Sequence, residues 1–297
     1  MKKALCRYRA EKFYSGSKLP RAMQLKEALA AIDWQQPWLH AIRTLGAEIS
    51  QKIAQTKQPE QAFIAILNDY ASALNLANAI PYHFVSQHAL PKGMAYEMYI
   101  YTHGGIPTRP NLHDFFNALI WLCFPRTKIA LNHLHAQTIL QQGHGIRTRH
   151  RDLATLFDEN GFILISDDLK IHAALQSANW SALFLQHRDA WSDRIHVFPF
   201  GHALLEKLLM PYKAITAHCL FLAAQPCFHA SQFIAASIIP PTLMHVDQIL
   251  AQTLITHLQA QTRFYPLPVM GIPGWCEHRS QTPDFYQDPR VFRPPRS

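Results

Sequence analysis

One stretch limits the fold of this chain more than any other. "LHDFFNALIWLCFPRTKIALNHLHAQTILQQ", residues 112–142, reads as two helices broken by a single proline. Pro125 lacks a backbone donor and pushes the preceding residue out of helical geometry, so the first helix should stop near Cys123. Its large apolar residues (Phe115, Phe116, Leu119, Ile120, Leu122, Phe124) go almost all the way round. A helix that is apolar on every face is stable only when surrounded, so the rest of the chain must pack about it. Asn111 with Asp114 three residues later is an approximate capping box for its start. The second helix is expected from about Thr127 to Gln142, with Gly143 just past its end.

Upstream, the apolar spacing predicts a helical layer over roughly the first 80 residues. Leu25, Leu29 and Ile32 share a face, "WLHAIRTLGAEISQKIAQ" continues the period, and Pro59 opens a third helix. The next 30 residues read as loops around one short element at Ala95–Tyr101. Downstream, "ATLF" and "FILIS" flank the polar "DENG", which predicts an antiparallel hairpin with Gly161 in its turn. Residues 169–191 look helical, and "DRIHVFPFG" suggests a strand and turn. "KAITAHCLFLAA" is apolar enough for either type, and its length and alanines favour helix. "LMHVDQILAQTLITHLQA" is amphipathic. The last 35 residues combine many prolines with aromatics, which a disordered tail would lack. The expectation is a mainly α-helical α+β fold with one small antiparallel β-hairpin and an ordered, irregular C-terminal arm. Residues 1–21 would be an N-terminal extension, and 22–297 one compact domain.

Four blocks carry a family resemblance: "GIPTRPNLHDFFNALIWLCFPRTKIALN", "RDLATLFDENGFIL", "GHALLEKLLMPYKAITAH", and "LPVMGIPGW" with "FYQDPRVFRPPR". In this order they resemble the uncharacterised bacterial family called domain of unknown function 3025, from about Leu25 to the C-terminus. The resemblance implies a bacterial, soluble protein of one architecture. It carries over no catalytic residue.

Composition narrows the setting. Charged residues make up 16% of the chain, against about 25% in an average soluble protein. The net charge is nevertheless +8 and the pI about 9.3. A basic balance favours an anionic small molecule or nucleic acid as partner. The densest basic patch is "HGIRTRHR", from His144 to Arg151, for which a solvated loop is the simpler explanation and phosphate binding the alternative. The basic start lacks the apolar segment of a signal peptide, and no apolar run is long enough to insert in a membrane. Five cysteines without metal-knuckle spacing fit a reducing cytoplasm.

No glycine-rich nucleotide loop occurs, so no cofactor is named. Neither His-Glu-x-x-His nor a cysteine cluster is present, so no metal site is assigned. His202 and Glu206 have i, i+4 spacing and could supply two ligands, or merely form a surface contact. The stronger constellation lies in the two central helices. His113 and Asn117 share a helical face. Asp114 points away by about 100° but within reach of a shared cavity. Lys128, Asn132 and His135 form a stripe on the next helix. His113 and Asp114 are therefore the candidate catalytic residues. Asn117, Lys128 and Asn132 are candidate substrate-binding residues, with Arg151, Asp158 and Glu159 near the expected hairpin. Converging polar stripes in an apolar setting suit acid–base chemistry, such as hydrolysis or group transfer on a small phosphorylated or anionic molecule. The competing readings are a satisfied buried network, a nucleic-acid-binding surface and an interaction protein without catalysis.

Overall fold

The computed structural model describes residues 24–73, 82–142, 148–224, 239–276 and 281–294. The N-terminal extension, Gly143 and half of the basic patch, Arg147 included, lie outside those residues.

Helix α1 (Leu25–Ala30), a 3-10 turn at Pro37–Leu39, α2 (Arg43–Gln55) and α3 (Pro59–Ala73) make up the expected first helical layer. Next come strand β1 (His83–Ser86), α4 (Tyr96–His103) and β2 (Gly105–Thr108). The two strands pair in parallel, within a stretch read from sequence as loops around one element. The central helices are α5 (Leu112–Cys123) and α6 (Pro125–Gln142). From Phe115 to Cys123 every residue of α5 is buried except Asn117, as its all-round apolar surface requires. The break between these helices is sharp because Phe124 leaves helical geometry (φ −129°, ψ 53°) and Pro125 begins the next helix at once. The first amides of α6 are satisfied from elsewhere. Buried Asp247 accepts hydrogen bonds from the Arg126 and Thr127 amides, each at 2.9 Å. A carboxylate is favoured at a helix N-terminus, and this one ties α6 to the distant helix α10 (Pro241–Gln259).

Two sequence expectations fail here, each for an identifiable reason. "ATLF" is not a strand. It belongs to helix α7 (Arg149–Asn160), whose polar end "DEN" is helical rather than a hairpin turn. "KAITAHCLFLAA" is not a helix: residues 216–223 form strand β5 (Thr216–Ala223). The expected hairpin is replaced by a mixed four-stranded sheet. Its order is β4 (His196–Pro199), β3 (Gly161–Ser166), β5, β6 (Tyr265–Pro268), with β3 and β5 parallel and both outer pairings antiparallel. Every residue of β3 is buried, which explains its unbroken apolar run. In β5, tertiary pairing on both edges overrides the helical preference of its alanines. Between β3 and β4 lie α8 (Leu169–Gln176), a π-turn at Ala182–Gln186 and a 3-10 turn.

Two glycines make the close approaches that shape the site. A Cβ on Gly161 would collide with the Phe157 carbonyl, so only glycine lets β3 start directly after α7. A Cβ on Gly201 would collide with backbone atoms of Glu159 and Asn160. This lets helix α9 (His202–Leu208) begin against the end of α7. The described residues of the C-terminal arm pack on the body. The arm opens with β6, and Trp275, Phe285, Tyr286 and Phe292 are buried in the core cluster that begins at Leu25. Burying each such ring contributes about 1.5–3 kcal/mol.

Candidate active site

A cavity of about 330 Å³ opens where α4, α5, α6, α7 and α9 meet. His113, in the first turn of α5, is half-exposed at its wall. Its Nδ1 lies 3.1 Å from Glu206 Oε2, and its Nε2 lies 3.1 Å from Nε2 of His202. Glu159, at the end of α7, brings Oε1 to 3.7 Å from the same His202 nitrogen. The local sequence explains the meeting. Gly201 sets the first residue of α9, His202, against the last turn of α7, and the i, i+4 spacing puts Glu206 on the same face. Buried Leu204, Leu205 and Leu208 anchor the other side of α9.

The rings differ in electrostatics. The hydrogen bond to Glu206 raises the His113 pKa against the opposing cost of burial, with Glu159 and Asp114 adding to the rise. Burial lowers His202 to about 4, against the Asp158 carboxylate, which favours its charged form. Of the two rings, His113 is the one whose surroundings favour the charged form. Burial also raises Glu159, partly offset by His113.

A second group of charges fills the deeper wall. Lys128 is 4% exposed and forms an ion pair with Asp158. Its Nζ also donates to Asn117 Oδ1 at 2.9 Å, and Asn117 Nδ2 donates to the Tyr96 hydroxyl at 3.3 Å. Burial pushes the Asp158 carboxyl up, but Lys128 and His202 outweigh it and hold it below the usual range. Tyr96 is raised by burial and stays a neutral phenol. Asn132 donates to the Glu97 carbonyl at 2.8 Å.

The expected residues thus fall into distinct groups. His113, Asp114, Asn117, Lys128, Asn132, Asp158 and Glu159 all line this cavity. Asp114, however, does not orient His113. Its carboxylate accepts the Arg109 amide at 2.7 Å and two guanidinium bonds at 3.0 Å, closing the turn before α5. Asp158 and Glu159 belong to a helix end, not to a hairpin turn. Arg151 lines an adjoining recess with Asp152, Leu156 and Glu159 rather than the cavity itself. Sequence reasoning missed Arg109, Tyr96 and Glu97. It treated His202 and Glu206 as a pair by themselves, although "GHALLE" carries the only available signal, two polar groups on one face behind a glycine. Their partner His113 lies 89 residues away from His202 and cannot be read from spacing.

No curated protein and no solved structure matches this chain. No helix among the described residues is long and apolar enough to cross a membrane. A family model described as "Protein of unknown function (DUF3025)" matches residues 82–296, which include every side chain of the cavity wall. The chain belongs to that family.

Proposed function

We propose that the cavity is the active site of a hydrolase or group-transfer enzyme acting on a small polar molecule, with His113 as its principal proton acceptor and donor. One observation carries the reading: an imidazole braced at Nδ1 by a carboxylate turns its other nitrogen toward a second histidine and a carboxylate, beside a solvent-accessible cavity. Since a carboxylate only accepts, Glu206 holds the proton on Nδ1, leaving Nε2 of the neutral ring for exchange. Lys128 stabilises negative charge that develops nearby, and Asn117 keeps it in place. Tyr96 and Asn132 offer hydrogen bonds to substrate polar groups.

An anionic substituent finds limited support. Glu97, Asp114, Asp158 and Glu159 outnumber Arg109 and Lys128 in the wall, and both cations are paired there. Arg109, with its side chain 57% exposed, is the cation best placed to meet such a group. The acid-rich wall weighs against nucleic acid as the partner.

The test is turnover of a panel of phosphomonoesters, carboxylic esters and amides by the wild type and by His113→Gln. Wild type should convert one class, and the variant should lose about a hundredfold or more while staying folded. Equal turnover by both proteins would remove His113 from the chemistry.

A further inference from the structure

We infer that His113, His202 and Glu159 form a binding site for a divalent transition-metal ion, with Glu206 as the outer partner that orients His113. The inference rests on the preceding reading for the place of the chemistry. It changes what His113 offers there, from a proton acceptor to a metal ligand.

Geometry is the first support. One ligand atom from each of the three residues lies within 4.8 Å of the others. The two Nε2 atoms are 3.1 Å apart, and metal–nitrogen bonds of about 2.0–2.1 Å would span that gap at an angle of roughly 95–100°. Glu159 Oε1 is 3.7 Å from His202 Nε2, a few tenths of an ångström beyond a tetrahedral edge of about 3.4 Å. Its side chain is 38% exposed and free to close that distance.

Hydrogen-bond directions point the same way. Glu206 accepts from His113 Nδ1, so the neutral ring directs its Nε2 lone pair at His202. Nδ1 of His202 is buried and makes no well-formed hydrogen bond among the described residues, while the Asp158 backbone carbonyl acts as an acceptor toward this ring. A proton on that nitrogen leaves two lone pairs facing one another, and only a shared proton or a cation between them relieves the repulsion. The carboxylate beside both nitrogens favours the cation.

Charge agrees. Lys128 and Arg109 are committed to Asp158 and Asp114. Neither Glu159 nor Glu206 has a Lys or Arg at ion-pair distance among the described residues. A dication would balance this surplus. The donor set, two imidazoles and one carboxylate, suits zinc and its first-row neighbours better than magnesium or calcium. A carboxylate behind a ligating histidine is the usual outer partner of such ions. The remaining coordination positions would face the cavity, where a water or a substrate oxygen can bind.

The full-length protein, stripped with a chelator and dialysed, is titrated with Zn²⁺ and with Co²⁺ by calorimetry, the Co²⁺ form also being read by visible absorption. One tight equivalent and a cobalt spectrum of low-coordinate nitrogen ligation are expected. Glu159→Ala changes a partly exposed side chain at a helix end and should weaken binding by about tenfold or more. Glu206→Gln should weaken it by about 10–100-fold without removing a ligand. His113→Ala should abolish the tight equivalent, with circular dichroism confirming that each variant is folded. The proposal is overturned by the lack of a tight equivalent, or by affinities unchanged in Glu159→Ala and His113→Ala together. If metal binds as expected but no substrate class is turned over, the site stands and the enzymatic reading falls. If metal binds as expected but the chelated protein turns over substrate at its full rate, the binding site stands, the metal has no part in turnover, and acid–base catalysis at His113 stands.

Discussion

Among the described residues, two buried lysines each pair with a part-buried aspartate, in contrasting surroundings. Lys213 with Asp288 ties the C-terminal arm to the body, at 3.1 Å, with side-chain exposures of 7% and 12%. Two aromatic rings of the arm close over the ammonium, Phe285 at 4.5 Å and Phe292 at 5.8 Å. Lys128 with Asp158 sits as deep on the lysine side, and Trp121 covers it at 5.4 Å. Asp158, however, keeps 27% of its side chain exposed at the cavity. Both pairs carry the cost of removing charge from water. The first lies under the rings of the arm, and the second leaves a polar edge open to the cavity. A buried ion pair is therefore a functional clue only when one partner still faces a cavity.

The most severe way to break the comparison is to remove one partner from each pair. Asp288→Ala and Asp158→Ala each deprive a buried ammonium of its carboxylate and should cost about 3–5 kcal/mol in urea unfolding. The apolar double replacements then separate the two regions. Lys213→Met with Asp288→Leu should recover most of the lost stability and leave substrate turnover intact. Lys128→Met with Asp158→Leu should recover stability but not turnover. Equal turnover in both doubles would show that the cavity pair is as purely structural as the arm pair.

A smaller effect is expected in acid. Hydrogen bonds from Arg290 and Lys213 hold the Asp288 carboxyl well below the usual carboxylate range. A depressed folded pKa adds stability that is fully present above the unfolded value of about 3.9 and is lost as pH falls through the folded value. The melting temperature of wild type should thus fall as pH drops below about 4, and Asp288→Asn should flatten this limb. Parallel curves from scanning calorimetry between pH 2 and 7 would mean that the arm does not depend on this charge.

What could be read in advance follows from range. The α5–Pro125–α6 unit was legible because its apolar pattern and its breaker lie within 31 consecutive residues, 112–142. The Asn111 cap was legible too, and Asn111 Oδ1 does accept the Asp114 amide at 2.8 Å. Strand β5 was not, because its pairing with β3, from Gly161 opposite His218 to Ser166 opposite Ala223, lies more than 50 residues away. "ATLF" misled because four apolar-rich residues fit a helix or a strand equally, and the collision at Gly161 that ends the helix is a tertiary fact. At the site, the polar stripes of α5 and α6 were visible as helix faces. The ring-to-ring meeting of His113 and His202 was not, because it depends on how α9 docks. Asp114 was legible as a residue that reaches the cavity, whereas its pairing with Arg109, five residues earlier, was not.

The smallest effect sharpens what the arm pair consists of. Arg290 bonds Asp288 through Nε at 3.1 Å and Nη2 at 3.2 Å, and it is the largest contributor to the depressed carboxyl. On geometry alone it looks more important than Lys213, which makes one 3.1 Å bond to the same carboxylate. Exposure reverses the ranking. The Arg290 side chain is 80% exposed, so water and salt screen its attraction and replace its bonds when it is lost. Lys213 is buried beneath the arm's own aromatics, which shield its attraction from water and salt. Arg290→Ala should therefore cost about 0.5 kcal/mol or less in urea unfolding, and that loss should shrink further in 1 M salt. The Lys213→Ala variant should stay far less stable under both conditions. A loss above roughly 2 kcal/mol for Arg290→Ala would place the closing contact at the surface of the arm instead of beneath its rings.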